Sequence, residues 1–183
     1  MVDSLIDEIV DFWFDEAMKP YWFRRSASFD RAVADTLGPH YEAAARGDYD
    51  DWIEDVDGCI ALCVLLDQVP RNMFRDDPRA FATDAKARGV SEHAVANGFD
   101  LECNEDERTF LYLPFEHHED MGSQERSVTL FTERVGDETT IRYAERHREI
   151  IGRFGRFPHR NAVLGRASTP EEEAFLKEPD SSF

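Results

Sequence analysis

Residues 146–166, RHREIIGRFGRFPHRNAVLGR, concentrate the side chains best suited to chemistry. Six arginines (Arg146, Arg148, Arg153, Arg156, Arg160 and Arg166) stand there against one acid, Glu149, with His147 and His159 between them. The chain as a whole carries a formal charge of -18, so this run reverses the prevailing sign. Guanidinium groups held close together repel unless anions sit among them. One chemistry that resolves the repulsion is an anion site. Arg71, Asn72, Arg156, His159, Arg160 and Asn161, with Asp67 and Gln68 beside them, could line a pocket for a carboxylate or phosphate. Arginine forks bind such groups through paired hydrogen bonds, and asparagines fix orientation. Gly155 and Gly165 would let backbone N–H groups approach the same anion. The competing reading pairs these arginines internally with Asp67, Glu116, Glu119 and Glu149, stitching helix ends together.

A second chemistry is acid–base catalysis by Glu116, His117, His147 or His159. Imidazole titrates near neutrality, and a neighbouring carboxylate holds its tautomer and raises its basicity. On one helix, Glu116 and Asp120 would share a face, whereas His117 and His118 could not both enter one pocket; His118 is expected in solvent. A metal site drawn from His117, Glu119, His147 and His159 lacks the HExxH spacing that marks helical metal sites, so no metal is expected. There is no GxSxG elbow, phosphate-binding GxxxxGK[ST] loop or GxGxxG turn, and no cofactor is expected. A third class is a peptide-binding helical module whose groove takes an acidic segment or a C-terminal carboxylate.

The elements that must position these residues read as helices. Asp3 or Ser4 can cap a first helix carrying Leu5, Ile6, Ile9, Val10 and Trp13 at helical spacing. Ser28-Phe29-Asp30 opens a second, bent or broken at Gly38-Pro39 and stopped by Gly47. Residues 58–66, GCIALCVLL, are apolar all round and predict a helix buried on every side, ended by Val69-Pro70. Asp77-Pro78 predicts a fourth helix running to Ala96, and Asn104 with Glu107 a capping box for a fifth. Pro114 should kink that fifth helix on its way to Gly122. Ser123 would then cap a sixth, with Val128, Leu130, Phe131 and Val135 inward. Asp137 starts a seventh, which runs into the arginine-rich loop, and Thr169-Pro170-Glu171-Glu172 opens a short terminal one. No run alternates with period two, and no hairpin turn joins two β-branched runs. The fold class is therefore all-α, with antiparallel helical hairpins.

Three stretches, LDQVPRNMFR at 66–75, YLPFEH at 112–117 and the run from His147 to Arg166, carry a resemblance. The chain is similar to a bacterial domain-of-unknown-function family marked by LDQxPRNxFR, YLPFEHxE and HRxIIxRFGRFPHRNxxLGR, from about Phe12 to Leu176. The resemblance implies an all-helical bundle like a tetratricopeptide-repeat superhelix, and it brings no catalytic residue with it.

At 183 residues the chain is long enough for a single domain, 1–183, with a real core. Only Lys19, Lys86 and Lys177 are lysines, and acids are spread along the whole length, as on surfaces kept hydrated in high salt. Such a surface repels nucleic acid and anionic membranes. Cys59, Cys63 and Cys103 read as buried free thiols of a reducing compartment. The N-terminus lacks a basic segment before its apolar residues, and no apolar run approaches ~20 residues, so a soluble, cytoplasmic protein is expected. The leading expectation is recognition of a small anionic molecule in a polar pocket supplied by residues 67–75, 116–119 and 147–166. An enzyme acting on an anionic substrate and an acidic-peptide module follow behind it.

Overall fold

The structure is a computed structural model that describes residues 2–179 and 181–182, with the backbone alone for residues 2 and 3. Every regular element among them is helical. The helices are α1 (Val2–Phe14), α2 (Ala27–Arg46), α3 (Val56–Cys63), α4 (Val69–Met73), α5 (Asp84–Asn97), α6 (Glu105–Glu116), α7 (Met121–Leu130), α8 (Glu138–Phe154) and α9 (Pro170–Phe175). Among the described residues no helix is long and apolar enough to cross a membrane. The chain divides into two compact units, residues 1–75 with 79–114, and residues 76–78 with 115–183.

In the first unit α3 is the buried axis, with α1 and α5 packed on it and α2 packed on α4. Residues 59–66 are 1% exposed or less, as an all-round apolar helix requires. The aromatic residues near the N-terminus close around Phe110. Trp13, Phe14 and Trp22 meet it edge-on at 5.5, 5.5 and 4.7 Å, and Phe23 stacks on it at 6.0 Å. Trp13 is fully buried, whereas Tyr21 and Phe23 keep exposed faces.

Prolines interrupt less than their chemistry suggests. Pro39 and Pro114 both lie inside continuous helices, so the chain is not broken at Gly38-Pro39. Nor does Pro70 end the buried helix. After Cys63 the chain widens into a π-helical turn over Val64–Gln68, in which Val69 N donates to Val64 O, and then continues as α4. Pro70 has no N–H for the carbonyl of Leu66, four residues back. The Thr83 hydroxyl donates to that oxygen at 2.6 Å instead. A donor from a distant segment thus meets the cost that local rules assign to proline.

Other boundaries shift for capping reasons. Ser26 caps α2, Asp55 caps α3, and α5 begins at Asp84 because residues 78–81 form a separate 3-10 turn. α6 stops at Glu116, and Asp120 rather than Ser123 caps α7, its Oδ1 accepting from Ser123 N at 3.0 Å. α1 already includes Asp3 and Ser4, so neither stands ahead of it as a cap. The Asn104/Glu107 box, the Asp137 cap and the Thr169/Glu172 box form as the sequence predicts.

The second unit is built on the α7–α8 hairpin, turned at Gly136 with φ +79°. A Cβ placed on Gly152, near the end of α8, would sit 3.9 Å from Sδ of Met121 at the start of α7, so the two helices run antiparallel. Its apolar centre is Ile150, Ile151, Phe157 and Phe175, with Phe154 against them. The buried positions of α7 are Ser123, Gln124, Ser127 and Leu130; Val128 and Val135 are only half-buried, against expectation.

The three thiols are buried, and burial pushes those of Cys59 and Cys103 up to about 12. Cys63 is raised as well, its sulfur 3.5 Å from the Ser91 hydroxyl.

One close approach in α3 gives a test. A Cβ on Gly58 would stand 2.0 Å from the Trp52 carbonyl oxygen, a backbone atom that cannot swing aside. Gly58→Ala is expected to lower unfolding free energy by ~2 kcal/mol or more, read from urea denaturation. Gly89→Ala, where nothing lies within 4 Å of the added carbon, should cost nothing and serves as the control.

Candidate functional site

The residues singled out by the sequence fall into both units. Asp67, Gln68, Arg71 and Asn72 make a network within the first. Arg71 forks onto Asp84, Nη1 to Oδ1 at 2.8 Å and Nη2 to Oδ2 at 3.0 Å, while Nη1 also donates to Asp67 O at 2.6 Å. Asp67, with no exposed surface, lies 3.2 Å from the same guanidinium and accepts from Gln68 Nε2 at 2.5 Å. Asn72 Nδ2 donates to Gln68 O at 3.1 Å. The π turn presents Asp67 and Gln68 inward together, and the Arg71 guanidinium is answered there by two carboxylates, Asp67 and Asp84.

In the second unit Glu119 organises the arginine-rich loop. Arg166 donates Nη1 to its Oε2 at 2.6 Å and Nη2 to its Oε1 at 2.9 Å, and Phe157 N donates to Oε1 at 2.7 Å. Burial works against the charge on Glu119, but Arg166 and the Phe157 N–H outweigh it and hold the carboxyl below its usual range. Arg156 is turned to the terminal helix: Nε and Nη2 donate to the two oxygens of Glu172 at 2.7 and 2.8 Å, and Nη2 to Ala167 O at 2.9 Å. Asn161, 1% exposed, donates to Ser168 Oγ at 3.1 Å and accepts from Arg166 Nε at 2.9 Å. Arg156, Asn161 and Arg166 therefore frame the loop.

Within that frame the structure sets His147, His159 and Arg160 against Phe157, and Glu116 and His117 beside His147. His147 occupies an inward position of α8, on the stripe Ala144, His147 and Ile151, where helical periodicity alone would place an aliphatic residue. Its Nδ1 lies 2.8 Å from Tyr143 O and 3.2 Å from Glu116 Oε1. Acceptors on both approaches require the proton on Nδ1 and leave Nε2 with its lone pair. The His147 ring meets Phe157 edge-on at 5.5 Å, His117 is 6.3 Å from His147, and His159 is 5.7 Å from Phe157. The Arg160 guanidinium, on a side chain that leaves the residue 6% exposed, covers the Phe157 ring at 4.7 Å. Burial, reinforced by His117, Arg160 and His159, drives the proton affinity of His147 well below the ordinary imidazole value, against the bond to the Tyr143 carbonyl. At neutral pH this ring is uncharged within a basic neighbourhood.

His118 does not join the group and is not fully in solvent. It is half-buried and paired through Nδ1 with Asp120, which lies outside α6 and so shares no helical face with Glu116. Sequence reasoning also missed Gln124 and Ser127, buried on α7 beside this group; isolated polar residues in a helix carry no motif. The available signal was their spacing, which places them with Leu130 on one face.

Comparison with known proteins agrees with this architecture. Residues 9–180 match the family model described as bacterial protein of unknown function (DUF924). A solved structure of a protein of unknown function from Agrobacterium tumefaciens is 42% identical, with a TM-score of 0.92 over 97% of this chain and 99% of that one. No curated protein matches.

The state of His147 sets a pH dependence. In the unfolded chain imidazole takes up a proton near 6.5, whereas the folded site resists it. The contribution is fully present above that pH and is lost as pH falls below it. Stability to urea should therefore decline from about pH 6.5 downward. His147→Asn should flatten that limb while leaving a second loss below about pH 4.5, where Glu119 and Glu172 take up protons in the unfolded chain but resist them when folded, Glu172 being held at about 2 mainly by Arg156.

Proposed function

The chain belongs to the bacterial family of unknown function DUF924, and on that footing we propose that it binds a small anionic molecule, carboxylate- or phosphate-bearing, at the His147–Phe157–Arg160 cluster. The observation that carries this reading is the basic neighbourhood itself. A buried guanidinium and the imidazoles of His147 and His159 lie against one phenylalanine, with the His117 ring 6.3 Å from that of His147. A field of that sign inside a strongly acidic protein favours an anion and works against the negative surface around it. The frame made by Glu119, Arg156, Asn161 and Arg166 supports the reading, because preorganised donors bind anions with little ordering cost. Arg156 and Asn161 then belong to the scaffold, and Arg160, His159, His147 and His117 to the ligand. Asp67, Gln68, Arg71 and Asn72 contribute an internally bonded network in the first unit.

A second reading has its own observation. The Glu116–His147 contact at 3.2 Å, with the proton directed to Nδ1, resembles the orientation of a catalytic base whose Nε2 accepts a proton from substrate. Its direct check is nitrogen NMR of the imidazole at neutral pH. The acid–base reading requires Nε2 of His147 to be the unprotonated nitrogen, and Glu116→Gln to shift that resonance. A ring protonated on Nε2 would remove it.

Thermal shift against a panel of phosphates and mono-, di- and tricarboxylates tests the main reading. At about a hundred times Kd a bound anion adds ~2.7 kcal/mol, a rise of roughly 5–10 °C for a chain of this size. Arg160→Gln should abolish the rise. Arg156→Ala should lower the melting temperature but keep it. No response to any anion at millimolar concentration would overturn the proposal.

A further inference from the structure

The inner face of α7 is polar where a packed helical hairpin would ordinarily carry aliphatic side chains. Gln124 and Ser127 are both 0% exposed and lie one turn apart on the face buried in the second unit. Both amide hydrogens of Gln124 have acceptors, Nε2 donating to Glu116 O at 2.6 Å and to His118 O at 2.8 Å. That arrangement fixes which way the amide lies, because a flipped Gln124 would set its oxygen against two carbonyls. Oε1 therefore turns away from the end of α6, and it has no hydrogen-bond partner among the described residues. Neither has Ser127 Oγ, which does not make the bond to the carbonyl four residues back that buried helical serines commonly use. Folded proteins leave few buried acceptors unserved, and two adjacent ones on one helix call for a donor from outside the chain.

The Gln124 amide links this face to the basic cluster through Glu116. The Gln124 amide is bonded to the backbone of Glu116, whose carboxylate stands 3.2 Å from His147 Nδ1. His147 in turn shares Phe157 with Arg160 and His159. One end of the polar interior offers positive charge, and the other offers neutral oxygen acceptors. A simple anion such as acetate or inorganic phosphate would serve the first end and leave the second unanswered.

We propose that the ligand is a hydroxylated anion, its carboxylate or phosphate held by Arg160 and His159, its hydroxyl donating to Gln124 Oε1 and accepting from the Ser127 hydroxyl. This rests on the anion-site reading above and narrows it from charge to a charge with a neighbouring alcohol. Sites built to hydrogen-bond a hydroxyl discriminate strongly against analogues lacking it, because their buried partners are then stranded.

The experiment compares matched pairs on the full chain by calorimetry and thermal shift: malate against succinate, and glycerol phosphate against propyl phosphate. In at least one pair the hydroxylated member should bind about tenfold tighter or more, and the responding pair identifies carboxylate or phosphate as the anchor. Ser127→Ala should shrink that ratio severalfold while leaving the deoxy member's affinity unchanged. Without ligand the same variant should melt at or above the wild-type temperature, since a methyl group replaces a buried hydroxyl that bonds to nothing in the protein. Equal affinities within both pairs would overturn the inference and leave the anion site standing, with buried water serving the two acceptors. Ser127→Ala melting well below wild type would also overturn it, by showing that the hydroxyl has a structural partner. Silence toward all four compounds and the wider anion panel removes the anion site and this inference together.

Discussion

The second unit depends on one carboxylate. Glu119 sits between α6 and α7, where the chain has left one helix and not yet entered the next, and binds both Arg166 and the Phe157 N–H. A run of six arginines cannot fold on itself without such a counter-charge. With it, the loop following α8 closes back toward the α6–α7 connection, and Phe157 is carried into the apolar centre with no exposed surface. His147, His159 and Arg160 then lie against Phe157. The ordering of causes matters: charge neutralisation at Glu119 comes first, aromatic burial second, and the basic cluster is what those two leave in place. Arg156 and Glu172 repeat the device on the other side of the loop, where the terminal helix, opened by its Thr169 capping box, supplies the acid.

Much of the helical architecture was legible because it is written in short-range chemistry. The Thr169/Glu172 and Asn104/Glu107 boxes and the Asp137 cap each need only residues three apart, so the sequence predicts them directly. Prolines were misleading for the opposite reason. Pro70 removes a donor that α4 would use, but the replacement is Thr83, seventeen residues beyond Leu66. No local rule reaches that far. The same holds for Ser123, a good cap by type that yields to Asp120 because α6 ends earlier than its pattern suggests.

The candidate site was legible by residue type and less so by role. Arg71–Asp67 joins an arginine and an acid that the sequence sets side by side, whereas Glu119 takes Arg166, which lies outside the predicted pocket set. Arg156, in contrast, takes Glu172, and Arg71 also takes Asp84, both too distant in sequence to pair by inspection. Arginine content announces an electrostatic problem; only geometry says which cations are already answered. Gln124 and Ser127 escape notice altogether, since a polar residue on an amphipathic helix is expected on its wet side until the packing shows otherwise.

The buried thiols bear on where such a protein can live. With Cys59 and Cys103 pushed up to about 12, the nucleophilic thiolate at neutral pH is on the order of one part in 10^5, and Cys63 is shifted the same way. Oxidants and alkylating agents act through that form and must first reach it through a packed interior. Odd cysteine number therefore says little about the surrounding redox poise: these sulfurs are shielded by the fold around them.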